Sequence, residues 1–222
     1  MAIDFTSLDL QAVIGRGGMA TVWRAQHRPS ETLVAVKVLH PDLLDIPNAH
    51  AQFLTEADVL GRLYHPNVVQ LYGHGMVRSV TAEPPEDRLR SGAPYMVMEY
   101  FPQGTLNSAA PFTDWESVRS ILLSILDALA AAHAADLVHR DLKPSNILMG
   151  PRGPVLSDFG IVHDWSTVMS ESETPSFGTP SYMPPEQILN QWRLYGPWTD
   201  LYALGCLTYW LCSGQTPFRR FG

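Results

Sequence analysis

Apolar and polar positions alternate through the first part of the chain and then change period. Residues 10–14 (LQAVI) and 21–25 (TVWRA) read as two strands joined by Gly15, Arg16, Gly17 and Gly18. Residues 32–39 (TLVAVKVL), rich in β-branched side chains, predict a third strand. Residues 49–63 predict a helix, because Phe53, Ala57 and Leu60 recur at helical spacing. Two further strands are expected around Val68–Tyr72 and Tyr95–Tyr100, separated by the polar, proline-bearing stretch TAEPPEDRLRSG, which marks a surface loop. Beyond it the helical period takes over. Residues 117–135 carry Val118, Ile121, Leu122, Ile125, Leu126 and Leu129 on an apolar face, and Asp200–Leu211 is apolar nearly all round. Strands first and helices afterwards predict an α+β protein of two lobes, a β-rich N-lobe over residues 1–100 and an α-helical C-lobe over residues 101–222. The boundary falls near Phe101–Leu106, where Pro102 and Gly104 permit a hinge.

Composition narrows the function classes. Of the 222 residues, 45% are hydrophobic and 17% charged, as in ordinary globular proteins. The 22 acids outweigh the 15 bases to give a net charge of −7, which argues against nucleic-acid and anionic-membrane partners. The opening MAIDFTSLDL lacks the basic and apolar regions of a secretory signal. The longest apolar stretch, Leu201 to Cys212, is shorter than the about 20 residues that cross a bilayer, so no membrane segment is expected. Cys206 and Cys212 lie on different faces of one predicted helix and cannot pair there, which suits a reducing, cytoplasmic setting. The histidines lack the spacing of metal ligands, and no internal repeat is visible.

The run Gly15-Arg16-Gly17-Gly18-Met19-Ala20-Thr21-Val22 can be a hairpin turn or a loop whose amides approach phosphate oxygens. A dinucleotide-binding loop would need a helix after it, and Thr21-Val22-Trp23 reads as strand. In Val34-Ala35-Val36-Lys37, the period of two puts Ala35 and Lys37 on one strand face and Val34, Val36 and Val38 on the other. A half-buried lysine needs an anionic partner. Glu56, on the apolar face of the predicted helix, is the candidate, whether the pair is only a structural salt bridge or a functional one.

His139-Arg140-Asp141-Leu142-Lys143-Pro144-Ser145-Asn146, followed by Asp158-Phe159-Gly160, joins these features into one pattern. With the glycine run, Val34-Ala35-Val36-Lys37 and Pro184-Pro185-Glu186, the sequence resembles the protein kinase family, particularly bacterial serine/threonine kinases of the eukaryotic type. The resemblance implies the two-lobed kinase fold and transfer of the terminal phosphoryl group of ATP to serine or threonine of protein substrates. It makes Asp141 the base that accepts the hydroxyl proton and Lys143 the cation beside the transferred group. Lys37, fixed by Glu56, would hold the α- and β-phosphates. Asn146 and Asp158 would supply oxygen ligands to Mg²⁺. Ile14, Gly15, Gly17, Gly18, Val22, Ala35 and Leu148 would enclose the nucleotide, with Met98 as gatekeeper and the backbone of Glu99 and Phe101 bonding adenine. Leu60, Leu71, His139 and Phe159 match the family's apolar column, with Asp200 beneath it. Residues 158–186 would form the activation segment. Its serines and threonines, among them Ser166, Thr167, Ser170, Ser172, Thr174 and Ser176, would be regulatory sites read by Arg140, and Thr179 would help dock the substrate.

The sequence departs from the family at Ala20, in place of the third glycine, and at Pro184, in place of alanine. It also stops at Gly222, before the family's last helices and the arginine that pairs with Glu186. The resemblance therefore predicts an incomplete C-lobe, marginal stability and a tendency to self-associate. The alternatives to an active protein kinase are a nucleotide-binding pseudokinase or inactive fragment serving as a binding module, and a small-molecule kinase of the same fold.

Overall fold

The computed structural model describes residues 3–46, 49–78, 89–109, 114–159 and 180–218. These form two compact units, one of residues 3–46, 49–64, 70–78 and 89–100 and the other of residues 65–69, 101–109, 114–159 and 180–218.

The first unit is built on a five-stranded antiparallel sheet in the order β1-β2-β3-β5-β4. Its strands are β1 (Leu8–Arg16), β2 (Ala20–His27), β3 (Thr32–Leu39), β4 (Leu71–Met76) and β5 (Pro94–Glu99). The register sets Val22 opposite Lys37, Lys37 opposite Met96, and Ala35 opposite Met98, so these side chains share one face. Trp23, Ala25, Val34, Val36, Val38, Tyr95 and Val97 occupy the other face and form a core with Phe5, Leu8 and Val77. One helix, α1 (Ala49–Leu60), buries Phe53, Glu56, Ala57 and Leu60.

In this unit the start of β4 and the end of α1 differ most from the sequence reading. The strand expected around Val68–Tyr72 begins only at Leu71. Val68 instead bridges to Leu156, and the Val69 amide donates to the Leu156 carbonyl at 2.9 Å, so these valines satisfy their strand preference in the second unit. The helix expected to reach residue 63 ends at Leu60, where Gly61 weakens helical propensity and single turns carry the chain on.

The second unit contains α2 (Leu106–Ala109), α3 (Trp115–Ala134), the hairpin of β6 (Ile147–Gly150) and β7 (Gly153–Leu156), α4 (Pro185–Ile188) and α5 (Pro197–Ser213). Asp114 caps α3 by accepting from the Ser117 amide, which starts the helix earlier than expected. Val118, Ile121, Ile125, Ala128, Leu129 and Ala132 are its buried side, packed on β7 and α5, whereas Leu126 is exposed. By length and hydropathy alone α3 is apolar enough to cross a bilayer, which the sequence reading assigned to no segment. Its Glu116, Arg119 and Asp127 and its one packed side are those of an amphipathic helix on a core.

The β6–β7 hairpin has no counterpart in the sequence reading, because each strand is only four residues long and Pro154 interrupts the second. Pro197 opens α5 and Gly214, at φ 70°, closes it in the left-handed region that glycine tolerates. Ala203, Leu204, Leu207 and Leu211 are buried, but Trp198, Leu201 and Tyr209 are at least half exposed, so the helix is covered on one side only.

Candidate active site

In the first unit, Lys37 Nζ donates to Glu56 Oε1 at 2.9 Å. The lysine side chain is 14% exposed and the glutamate 5%, so the pair lies largely out of water. The lysine also lies 6.0 Å from the centroid of the Phe53 ring. The sheet register and the helical spacing of Phe53, Glu56 and Leu60 bring the two charges together from elements distant in sequence. Val22, Ala35 and Met98 share the Lys37 face; Ile14 is about half exposed near the end of β1. Gly17 N donates to Ala20 O at 2.9 Å, closing the glycine turn. A Cβ at Gly15 would meet Val22 at 3.6 Å, and one at Gly17 would meet the Ala20 carbonyl at 3.6 Å, both ordinary contacts. Neither glycine has a positive φ. The fold itself therefore does not require glycine at either position. Glu99 ends β5, its amide donating to Gln70 O at 3.0 Å.

In the second unit, the loop before β6 converges on Asp141. Its Oδ2 accepts from Lys143 Nζ at 2.7 Å and from Asn146 Nδ2 at 2.8 Å. The same Asn146 amide donates to the Asp141 carbonyl at 2.9 Å, which fixes the flip of its side chain and turns Oδ1 away from Asp141. Asp141 Oδ1 accepts no hydrogen bond among the described residues. Ser157 N donates to Asn146 O at 3.0 Å, tying Asn146 to the residue before Asp158, and Ser157 Oγ reaches Asp158 Oδ2 at 3.4 Å. Asp158 has φ 54°, a left-handed conformation that costs a non-glycine residue about 1–2 kcal/mol and is retained where the surroundings enforce it. Leu148 lies on β6 opposite Val155, and the buried Phe101 ring packs so closely on Gly150 that a Cβ there would come within 2.7 Å of it.

Beneath Asp141 lies a buried polar centre. Asp200, with no exposed surface, accepts from the amides of His139 at 2.8 Å and Arg140 at 2.7 Å, and pairs with His133 Nε2 at 2.7 Å. His139 Nδ1 faces the Asp141 amide and Nε2 faces the Ser157 carbonyl, an arrangement met by the neutral ring with its proton on Nε2. Burial lowers the His139 pKa against the opposing charges of Asp200, Asp141 and Asp158. Its ring lies 4.6 Å from that of Phe159. Arg140, at φ 69°, rests its guanidinium 5.9 Å from the centroid of Tyr195, and its buried Nε has no hydrogen-bond partner among the described residues. Glu186, in α4, accepts from Thr199 Oγ1 at 2.9 Å.

Ser166, Thr167, Ser170, Ser172, Thr174, Ser176 and Thr179 lie outside the described residues, as do Gly160 and the sequence after Phe218. Three polar residues of the site escaped the sequence reading. His133 had a signal: it follows Leu129 by one helical turn on the apolar side of α3, where a titratable side chain needs a partner. Ser157 and Gln187 had none, since each is an ordinary polar residue next to a motif.

The family model described as "Protein kinase domain" matches residues 8–221. Serine/threonine-protein kinase Pkn1 of Myxococcus xanthus is 36% identical over 222 aligned residues, covering 94% of this chain and 29% of that protein. A probable serine/threonine-protein kinase PknB of Corynebacterium glutamicum is also 36% identical, covering 95% of this chain and 32% of its own length. A probable PknB of Lactococcus lactis is 34% identical, covering 92% and 31%. The chain belongs to the protein kinase family, and it spans about a third of the length of these relatives.

Proposed function

We propose that the chain is the catalytic part of an ATP-dependent protein kinase that phosphorylates serine and threonine. The observation that carries this reading is the Asp141 cluster: one carboxylate oxygen is held by Lys143 and Asn146, and the other is left to accept a proton from a substrate hydroxyl. Phosphoryl transfer needs positioning and charge stabilisation more than covalent chemistry, and the groups gathered here suit both. Lys37, held by Glu56, would bind the α- and β-phosphates, and Lys143 would stabilise charge on the transferred group. The glycines at positions 15 and 17, not required by the fold, leave room for phosphate oxygens at the backbone. Asn146 and Asp158 offer hard oxygen donors that suit Mg²⁺, which prefers one or two protein ligands together with substrate phosphates. Bound there, Mg²⁺ would neutralise phosphate charge. Arg140, whose buried Nε has no partner among the described residues, would receive a phosphate from the segment holding Ser170, Ser172, Thr174 and Ser176, and Thr179 would help seat the substrate.

The two free cysteines fit a reducing cytoplasm. The exposed Trp198, Leu201 and Tyr209 on α5, with Ile188, Leu189 and Trp192 before it, support self-association of this chain. Incubation with γ-labelled ATP, Mg²⁺ and a generic basic protein tests the central reading. Label recovered as phosphoserine or phosphothreonine supports it, whereas nucleotide binding without transfer would favour a pseudokinase.

A further inference from the structure

The peptide linking Arg140 to Asp141 is held by a side chain outside the catalytic loop. Gln187 Nε2 donates to the Arg140 carbonyl at 2.7 Å. That carbonyl and the Asp141 amide belong to one planar unit, so whatever orients the first orients the second. The only other described bond to this unit is the long one from the Asp141 amide to His139 Nδ1, at 3.4 Å. On the far side of Arg140, Asp200 grips the amide at 2.7 Å. Arg140 itself is in the left-handed region, φ 69°, which a non-glycine side chain leaves readily unless both of its peptides are restrained. Asp200 restrains one peptide and Gln187 the other.

Gln187 is well placed to act as a fixed strut. It belongs to α4, whose neighbouring Glu186 is tied to the start of α5 by the Thr199 hydroxyl at 2.9 Å. Asp200, the other clamp, lies one residue beyond Thr199 on the same helix. Both restraints on Arg140 are thus anchored to the first turn of α5.

We propose that Gln187 is a positioning residue for the reaction: its side-chain amide sets the Arg140–Asp141 peptide and, through it, the direction of the Asp141 carboxylate. This rests on the kinase reading above. The bond Gln187 makes is to the peptide before Asp141, the residue read as the base and not as a nucleotide ligand, so its loss should act on turnover more than on ATP binding.

The test uses the 222-residue chain with Gln187→Met, which keeps the length and removes the amide, and Gln187→Glu. For Gln187→Met, kcat for phosphorylating a basic protein should fall at least about tenfold, with KM for ATP within about twofold of the unsubstituted chain. Gln187→Glu can donate to the carbonyl only when protonated. Its activity relative to the unsubstituted chain should therefore rise as pH falls towards the carboxylate range, near 4.3 for an unperturbed glutamate. Amide hydrogen exchange at Asp141, which needs no catalysis, should be faster in Gln187→Met. An unchanged kcat together with unchanged exchange at Asp141 would overturn the proposal. Faster exchange in a chain with no transferase activity even before substitution would retain the clamp and refute the kinase reading instead.

Discussion

Replacing Asp200 with alanine removes the acceptor for two backbone amides, those of buried His139 and half-buried Arg140, and for His133 Nε2. The His133 side chain is 16% exposed and can turn towards water, but the two amides have no alternative partner among the described residues. A buried donor left unsatisfied costs about 1–3 kcal/mol, so the His139 amide and the half-buried Arg140 amide together cost up to about 6 kcal/mol. That is a large share of the roughly 5–15 kcal/mol that holds a typical domain. For a chain of this size each kcal/mol lowers the melting temperature by about 2–4 °C. Asp200→Ala should therefore melt about 5–20 °C below the unsubstituted chain, and the loosened Arg140–Asp141 segment should cost most of the phosphotransfer. Asp200→Asn keeps the volume and one acceptor oxygen, so it should fall between the two. Thermal denaturation followed by circular dichroism, with transferase activity measured in parallel, reads both effects. An alanine variant that melts within about 1 °C of the original and turns over normally would show that Asp200 does not organise this centre.

Lys37→Met should abolish transfer and remove the cation paired with the nearly buried Glu56, which should lower stability in urea denaturation. Adding Glu56→Gln should recover part of that stability and none of the activity; a double variant no more stable than the single one contradicts the buried pair. Burial lowers the His139 pKa below its ordinary 6.5, so on acidification the unfolded chain takes up this proton before the folded one does. The contribution of His139 to stability is thus fully present above pH 6.5 and is lost as pH falls from there through the folded pKa. His139→Phe should flatten that part of the stability–pH curve, and an undiminished slope would show that the ring is not held neutral. Sedimentation should find concentration-dependent self-association, reduced by the paired changes Leu201→Glu and Tyr209→Lys; equal association by that variant would exclude the exposed side of α5.

Much of this architecture was legible because periodicity and motif spacing carry it. The alternation in Val34-Ala35-Val36-Lys37 gave the two faces of β3, and helical spacing placed Glu56 where β3 can reach it. The loop around Asp141 was legible because its residues are close in sequence and chemically distinctive. What stayed hidden depends on contacts between distant segments. Val68 and Val69 look like the start of β4 but pair with Leu156, and no local signal distinguishes those partners. The β6–β7 hairpin is too short to establish a period. Gln187 matters only because α4 lies within hydrogen-bond reach of the Arg140 carbonyl, a tertiary fact that composition does not encode. The α5 sequence looked fit for enclosure all round, since apolarity reports the tendency to be buried and not the presence of neighbours; one side of the helix is exposed.

The most direct measurement is Asp141→Asn, with phosphotransfer and nucleotide affinity determined on the same preparation. The asparagine keeps the size of the side chain and its place beside Lys143 and Asn146, but it cannot take the hydroxyl proton. The kinase reading predicts that transfer to serine and threonine falls to background while ATP affinity stays within a few-fold, because Asp141 faces the acceptor and not the nucleotide. Transfer by the variant at the original rate would contradict the assignment of Asp141 and with it the account of the site.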